Sequence, residues 1–438
     1  MSDRYPIDGS RDALWMATAV ALPETELLTG ELTVDVAVIG GGFTGLNAAL
    51  HLAEKGTSVA VLEAADLGFG ASGRSGGQVN LGLNLGPRAL IDLYGPGPGE
   101  RLVEAIVKTP DDVFDLIRRH QLDCDPVQNG WVQGAVTSSQ LEAQEKLAKD
   151  YADFGVQFEC LDRKGIRDRS GAHGFEGGLF CPPAGSLHPL SYTRELARVA
   201  MKKGARIFTQ ARVKTLQKDG RNWLLKTDGG RVSASIVLVC TNAYSDDLID
   251  GLKEKIVPVR SVLMATEPLS AALRKTVMPG QVTFVDKRRL ILYLRYDRDG
   301  RLCAGDHGPM RDNFALSDYD RVKKRVVDVF PDLAGVKWEF HWGGRVAMTR
   351  SSLPFMQIIE PGLIAGMGYN GRGVGMGSVM GRTLAEIALG KPETTLPFPL
   401  TRPQKFPLHQ FHRLGVAMGI KWHGALDFLE TCRPARKI

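Results

Sequence analysis

Residues 34–39 (VDVAVI) form a near-continuous apolar run, the pattern of a strand buried on both faces. The period then changes. After the turn from Gly40 to Gly45, the apolar positions Leu46, Ala49, Leu50 and Ala53 recur at helical spacing. They predict a helix to about Lys55, ended by Gly56. Residues 58–63 (SVAVLE) are the next buried strand, which completes a β-α-β unit of about thirty residues.

Downstream, 104–120 and 140–154 read as amphipathic helices, and 190–203 as a helix entered after His188-Pro189. Short strands are predicted at 207–208, 213–217, 223–227 and 231–233, with a buried one at 236–240 (IVLVC). The stretch 257–305 is strand-rich and alternates over 290–295. A helix over 319–330 stops at Pro331, a last buried strand spans 363–366, and a last long helix spans 374–389 before Gly390. Beyond Pro392 the chain is Pro-rich, and 411–429 is apolar and compatible with a helix. Nucleotide-type elements therefore recur near the start, the middle and the end. The pattern predicts an α/β protein with one discontinuous Rossmann-like domain (1–78, 185–245, 356–392), an inserted, mostly antiparallel substrate domain (79–184, 246–355) and a tail (393–438).

Composition adds exclusions. The 438 residues are 43% hydrophobic and 24% charged, enough for two packed domains. The net charge of +6 is spread without a basic block, which argues against nucleic-acid binding. Cys124, Cys160, Cys181, Cys240, Cys303 and Cys432 are dispersed, which favours a reducing, cytoplasmic setting and argues against a metal site. The apolar stretch 13–22 follows the mixed charges Asp3, Arg4, Asp8, Arg11 and Asp12, the wrong prelude for a signal peptide. No run approaches the roughly 18 apolar residues of a membrane span.

Three glycine-rich turns carry the candidate chemistry. Gly40-x-Gly42-x-x-Gly45 sits between strand and helix, where glycines allow a tight turn, approach of a pyrophosphate and close helix–strand packing. Glu63, at the end of the second strand, is placed to accept ribose hydroxyls. The loop 68–78 (GFGASGRSGGQ) combines small residues with Ser72 and Arg74, both able to bind phosphate oxygens. Gly366-x-Gly368-x-x-Gly371-Arg372-Gly373 precedes the last long helix, but no second strand or acid follows. It is therefore no second β-α-β unit, and its helix N-terminus would instead face a ring that becomes negative on reduction.

The loop after Glu63, the Gly-Tyr-Asn-Gly-Arg-Gly turn and the stretch His341-Trp342-Gly343-Gly344 resemble the D-amino-acid-oxidase superfamily of FAD enzymes. Within it the chain resembles gamma-glutamylputrescine oxidases and L-pipecolate oxidases, from about Leu14-Trp15 to the apolar tail. The resemblance implies a D-amino-acid-oxidase-type fold. It assigns Gly40, Gly42, Phe43, Thr44, Gly45, Glu63 and Ala64 to the ADP half of FAD. It assigns Gly70, Ala71, Ser72, Arg74, Gly76, Gly77 and Gln78 to the pyrophosphate and flavin. Val213 would hold adenine through its backbone, and Thr241 would lie close to the cofactor. Gly344, Gly368, Asn370, Gly371, Arg372, Gly373 and Val374 would wrap the flavin.

Two departures from relatives matter. Gly344 or Arg345 stands where monomeric sarcosine oxidases carry a flavin-linking Cys, which implies non-covalent FAD. Cys303 stands about where those enzymes carry an oxygen-activating Lys, which leaves oxygen or an electron carrier as acceptor. The implied reaction removes hydride from the carbon beside an amine nitrogen to flavin N5, giving an imine and, with oxygen, peroxide. No strong base is required. A substrate carboxylate calls for an arginine: Arg372 first, then Arg260, Arg295 and Arg345, with Tyr293 and Tyr369 as candidate walls. The tail is expected to pack on the body or cover the site, with membrane contact as the lesser alternative. The rival functions are an L-pipecolate or amino-acid oxidase or dehydrogenase, the latter passing electrons to a carrier or quinone, and a non-catalytic flavin-binding protein.

Overall fold

The structure is a computed structural model that describes residues 13–311 and 313–432; the five charged residues before position 13 lie outside it. Two eight-stranded sheets organise the chain. The first runs Phe355–Glu360, Leu363–Met367, Gly230–Val239, Gly30–Ile39, Val59–Leu62, Arg206–Phe208, with a hairpin of Thr215–Asp219 and Asn222–Lys226 added to Gly230–Val239. The strand Gly30–Ile39 pairs in parallel on both sides, and its last four residues are all buried. That double burial is why the sequence reads as an unbroken apolar run.

The helices Phe43–Ala53, Pro189–Lys202 and Gly373–Ala388 share one apolar core on this sheet. The first and last of these approach closely. A Cβ on Gly381 would lie 2.6 Å from the Thr44 carbonyl oxygen, so only glycine allows this spacing. The C-terminal turn is thereby brought beside the N-terminal one.

The second sheet runs Trp338–Met348, Val257–Pro268, Arg301–His307, Tyr293–Tyr296, Thr283–Asp286, Trp131–Ala135, Gly177–Cys181, Glu159–Asp162. Only Thr283–Asp286 against Trp131–Ala135 is parallel. Helix Asp320–Val329 seals one face with Val322, Val326 and Val329 against Phe284 and Met264.

Several elements differ from the periodicity. The single helix expected over 104–120 is two, Pro98–Val107 and Thr109–His120. Pro110 has no N–H to continue the ladder. Helices Pro87–Tyr94 and Arg163–Ser170 went unpredicted: both span only eight residues, and the second is mostly charged. Segments 231–233 and 236–240 merge into Gly230–Val239. Of the alternating stretch 290–295, only Tyr293–Tyr296 is strand; Leu290 and Ile291 form a loop. The tail forms helix His412–Cys432.

His188 caps helix Pro189–Lys202 rather than joining the chemistry. Its Nδ1 accepts the Ser191 N–H at 3.1 Å, and its Nε2 lies 3.0 Å from Thr18 Oγ1, which itself donates to Leu14 O. Arg295 lies beside it, over the Trp15 ring at 5.0 Å, and donates to the Leu187 and Tyr296 carbonyls. Burial, with Arg295 adding, pushes the His188 pKa from 6.5 down to about 3. The unfolded chain therefore takes up a proton that the folded chain refuses. The stability this gives is whole above pH 6.5 and is lost as pH falls from there toward 3. We expect His188→Asn, which keeps a capping acceptor, to show a smaller fall in thermal midpoint between neutral and mildly acidic pH than the parent.

Candidate active site

A cavity of about 480 Å³ opens where the parallel strands of the first sheet end, with Ile39, Leu62 and Cys240 at its floor. This is the crevice at which open α/β sheets bind ligands. Its far wall comes from the second sheet, through Val259, Arg260, Ser261, Leu263, Tyr293, Asp306, His307 and residues 344–348.

At one end the helix Phe43–Ala53 starts without a side-chain cap of its own. The Phe43 N–H donates to Ser72 Oγ at 3.0 Å, which ties the second glycine-rich loop to the first. Gly40, Gly42, Phe43 and Thr44 line the cavity. Gly45 does not, because its missing Cβ is what lets the helix sit on Gly40, whose oxygen would be 2.0 Å away. Glu63 accepts the Gly41 N–H at 2.7 Å and the Ala65 N–H at 3.0 Å. A carboxylate has lone pairs beyond these two for ribose hydroxyls. Burial raises its pKa, opposed by the Gly41, Ala65 and Ala64 N–H groups. Ala64, Val213 and Thr241 line the same end, joined by Arg212 and Asp246, an ion pair at 2.5 Å that motif reasoning missed.

Gly70, Ala71, Ser72, Arg74, Gly76, Gly77 and Gln78 all line the middle. The Arg74 guanidinium donates to the Phe69 and Gly343 carbonyls, and the Trp342 indole donates to Arg74 O. It fastens the loop to the second sheet. Gln78 likewise donates to Leu294 O at 2.9 Å.

The third turn closes the far side. Asn370, Gly371, Arg372, Gly373 and Val374 line the cavity, and helix Gly373–Ala388 begins there, again without a side-chain cap. Gly368 stands behind the wall, its N–H held by Asn242 Oδ1 at 2.9 Å. Asn370 Oδ1 accepts the Thr349 N–H at 2.9 Å, and Tyr369 reaches across to Thr44 Oγ1 at 2.6 Å. The Arg372 guanidinium lies 5.0 Å from the Trp131 ring centroid. No carboxylate pairs with it among the described residues.

The second sheet supplies a structured wall. Tyr293 is wedged where a Cβ on Gly76 or Gly305 would strike its ring. Its hydroxyl is 2.9 Å from Ser261 Oγ, which donates to Asp306 O. The ring is thus a fixed surface, and burial pushes the phenol pKa up. Arg260 and Arg345 are directly opposed across neighbouring strands, beside Gly344, and both line the cavity. Like charges in that register favour an anion near them. Arg295 and Cys303 do not reach the cavity; Cys303 is buried with Trp15, Trp342 and Leu263. His307 does, its Nδ1 2.8 Å from Asp306 Oδ1, a carboxylate also bound by Arg321 and Arg325. No motif in the sequence marks that pair.

Two helix N-termini, a strand-end acid and loops of small residues converge on one elongated cavity, an arrangement that fits FAD. Comparison with known proteins agrees. Residues 35–387 match the DAO family of FAD-dependent oxidoreductases. A probable oxidoreductase OrdL of Haemophilus influenzae is 34% identical, covering 90% of this chain and 92% of its own. The gamma-glutamylputrescine oxidoreductase of Escherichia coli is 30% identical, covering 95% and 98%. Glycine oxidase of Geobacillus kaustophilus superposes with a TM-score of 0.70 at 21% identity, covering 85% of this chain and 99% of its own. The crevice, its three glycine-rich turns and a family match across most of the chain lead to one conclusion: the protein belongs to the DAO family and is an FAD-dependent oxidoreductase.

Proposed function

We propose that the enzyme oxidises the CH–NH bond of a small amine that also carries a carboxylate, of the gamma-glutamylputrescine kind, and that Arg372 receives the carboxylate. The observation that carries this reading is the Arg372 guanidinium, seated on Trp131 at the cavity wall with no carboxylate partner among the described residues. A planar fork of donors matches two carboxylate oxygens, and a partly dry site strengthens the pair. The relationship to the Escherichia coli enzyme supports the substrate class.

When bound, FAD supplies the two-electron acceptor for the C–N bond. The chain's own groups do the rest. Tyr293 presents a rigid wall, and Arg372 orients the amine by its acid end. His307 is our candidate for taking the ammonium proton: ionised Asp306 holds Nδ1–H, which leaves Nε2 as the acceptor. The cofactor is proposed to be non-covalent. Cys240 is the cysteine that lines the cavity, and burial pushes its thiol up to about 12, far from a nucleophilic thiolate.

A second reading, a dehydrogenase that passes electrons to a carrier, is favoured by one observation: among the described residues no lysine lines the cavity. Steady-state turnover separates the readings. Gamma-glutamylputrescine and L-pipecolate should be turned over with kcat/KM about a hundredfold above the same amines lacking the carboxylate. Equal rates with and without the carboxylate would remove Arg372 from its role. Oxygen uptake against dye reduction then assigns the acceptor.

A further inference from the structure

The helix His412–Cys432 lies across the rim of the cavity. Near its start, His409 Nε2 is 2.9 Å from Ile256 O, and burial, with the charges of neighbouring groups including Arg260 adding, lowers the His412 pKa. Toward its end, Asp427 accepts the Arg289 and Leu290 N–H groups at 3.1 Å each, and Glu430 accepts from the Arg289 guanidinium. Arg260, Arg289 and Leu290 all line the cavity. Both of the helix's acids are thus paired with Arg289, Asp427 buried and Glu430 partly exposed.

The opposite face carries Phe411, Leu414, Met418, Trp422 and Leu429, a stripe at helical spacing, with Phe428 on its flank. These six side chains are 57–66% exposed, in a protein whose other large apolar residues are mostly buried. Leu408, just before the helix, and Ile291, on the loop beneath it, are exposed too. Arg413 and Lys421 are the exposed ionised residues beside the stripe, and the sequence continues with Arg433, Arg436 and Lys437 and no further acid.

We propose that this face lies in the interface of an anionic lipid bilayer, with the stripe among the acyl chains and the cations at the headgroups. The charge pattern decides the occupant. A symmetric contact with a second copy would bring the same cations together, while both acids of the helix are already engaged by Arg289. An anionic bilayer complements both the apolar stripe and its basic flanks. About 30 Å of helix is long enough to lie along such a surface, and among the described residues no helix is long and apolar enough to cross one. The proposal rests on the tail alone and is independent of the amine reading.

The test is co-sedimentation of the FAD-loaded full chain with phosphatidylcholine vesicles, with and without phosphatidylglycerol. Binding should require phosphatidylglycerol, weaken with salt, and shift tryptophan emission to the blue in the parent but not in Trp422→Phe. Leu414→Ser with Met418→Ser should weaken binding roughly tenfold per side chain while flavin absorbance and thermal midpoint are kept. Three results would overturn the proposal. One is no binding to anionic vesicles at low salt; another is equal binding by the double variant. The third is a parent dimer, seen by light scattering, that the double variant makes monomeric.

Discussion

Arg372→Met should raise KM for a carboxylate-bearing amine by about a hundredfold, with kcat nearly unchanged. The lost group is a charge-assisted, bidentate hydrogen bond in a partly dry site, worth roughly 3 kcal/mol. It is made equally in ground and transition states, so the loss falls on KM. Methionine keeps an unbranched chain against Trp131, and the helix Gly373–Ala388 uses only the backbone of residue 372 at its start. Flavin content per chain should therefore stay the same. Arg372→Lys restores the charge without the fork and should recover only part of the affinity. The preference for acid over decarboxylated amine should collapse in the methionine variant. A preference that survives would move the anchor to the opposed pair Arg260 and Arg345.

Gly45→Ala carries the second large effect, on cofactor and fold together. The added Cβ would sit 2.0 Å from Gly40 O and 3.0 Å from Val38 Cγ1, both belonging to the strand and turn beneath the helix. No flexible side chain can give way, so the helix must lift and carry the Phe43 N–H off Ser72. We expect a loss of about 3 kcal/mol in stability and little FAD retained after desalting. Gly415→Ala is the matched control: its Cβ would meet nothing within 4 Å, so alanine should be neutral or slightly stabilising there. Flavin absorbance per chain and the thermal midpoint read both variants.

The contrast between these two residues shows what was legible in the sequence. Gly45 lies in a local unit, where a change of period from strand to helix frames the turn and each glycine's duty follows from its place. The same holds for Glu63, the 68–78 loop and the 371–373 turn, which the fold gathers into one cavity. What a residue does inside that cavity depends on partners far away in sequence. Ser72 and Arg74 read as phosphate ligands from their side chains alone; the fold also has Ser72 accept the Phe43 N–H and Arg74 bind Gly343, 269 positions on. Asp306 and His307 had no motif, because their partners Arg321 and Arg325 come from a later helix. Cys303 was singled out by family resemblance alone, and strand pairing turns it away from the cavity into the Trp15 cluster. The break at Lys108 was readable from Pro110, but the apolar period on either side concealed it.

The central claim is that an amine bound in this crevice delivers its electrons to FAD. The direct measurement is an anaerobic absorbance titration of the purified, FAD-loaded protein with gamma-glutamylputrescine, then L-pipecolate and other cyclic and linear amino acids. The account predicts that a carboxylate-bearing amine bleaches the flavin band stoichiometrically, and that the Arg372→Met variant needs about a hundredfold more of it. A flavin band that none of these substrates bleaches, in protein shown to hold one FAD per chain, would contradict it.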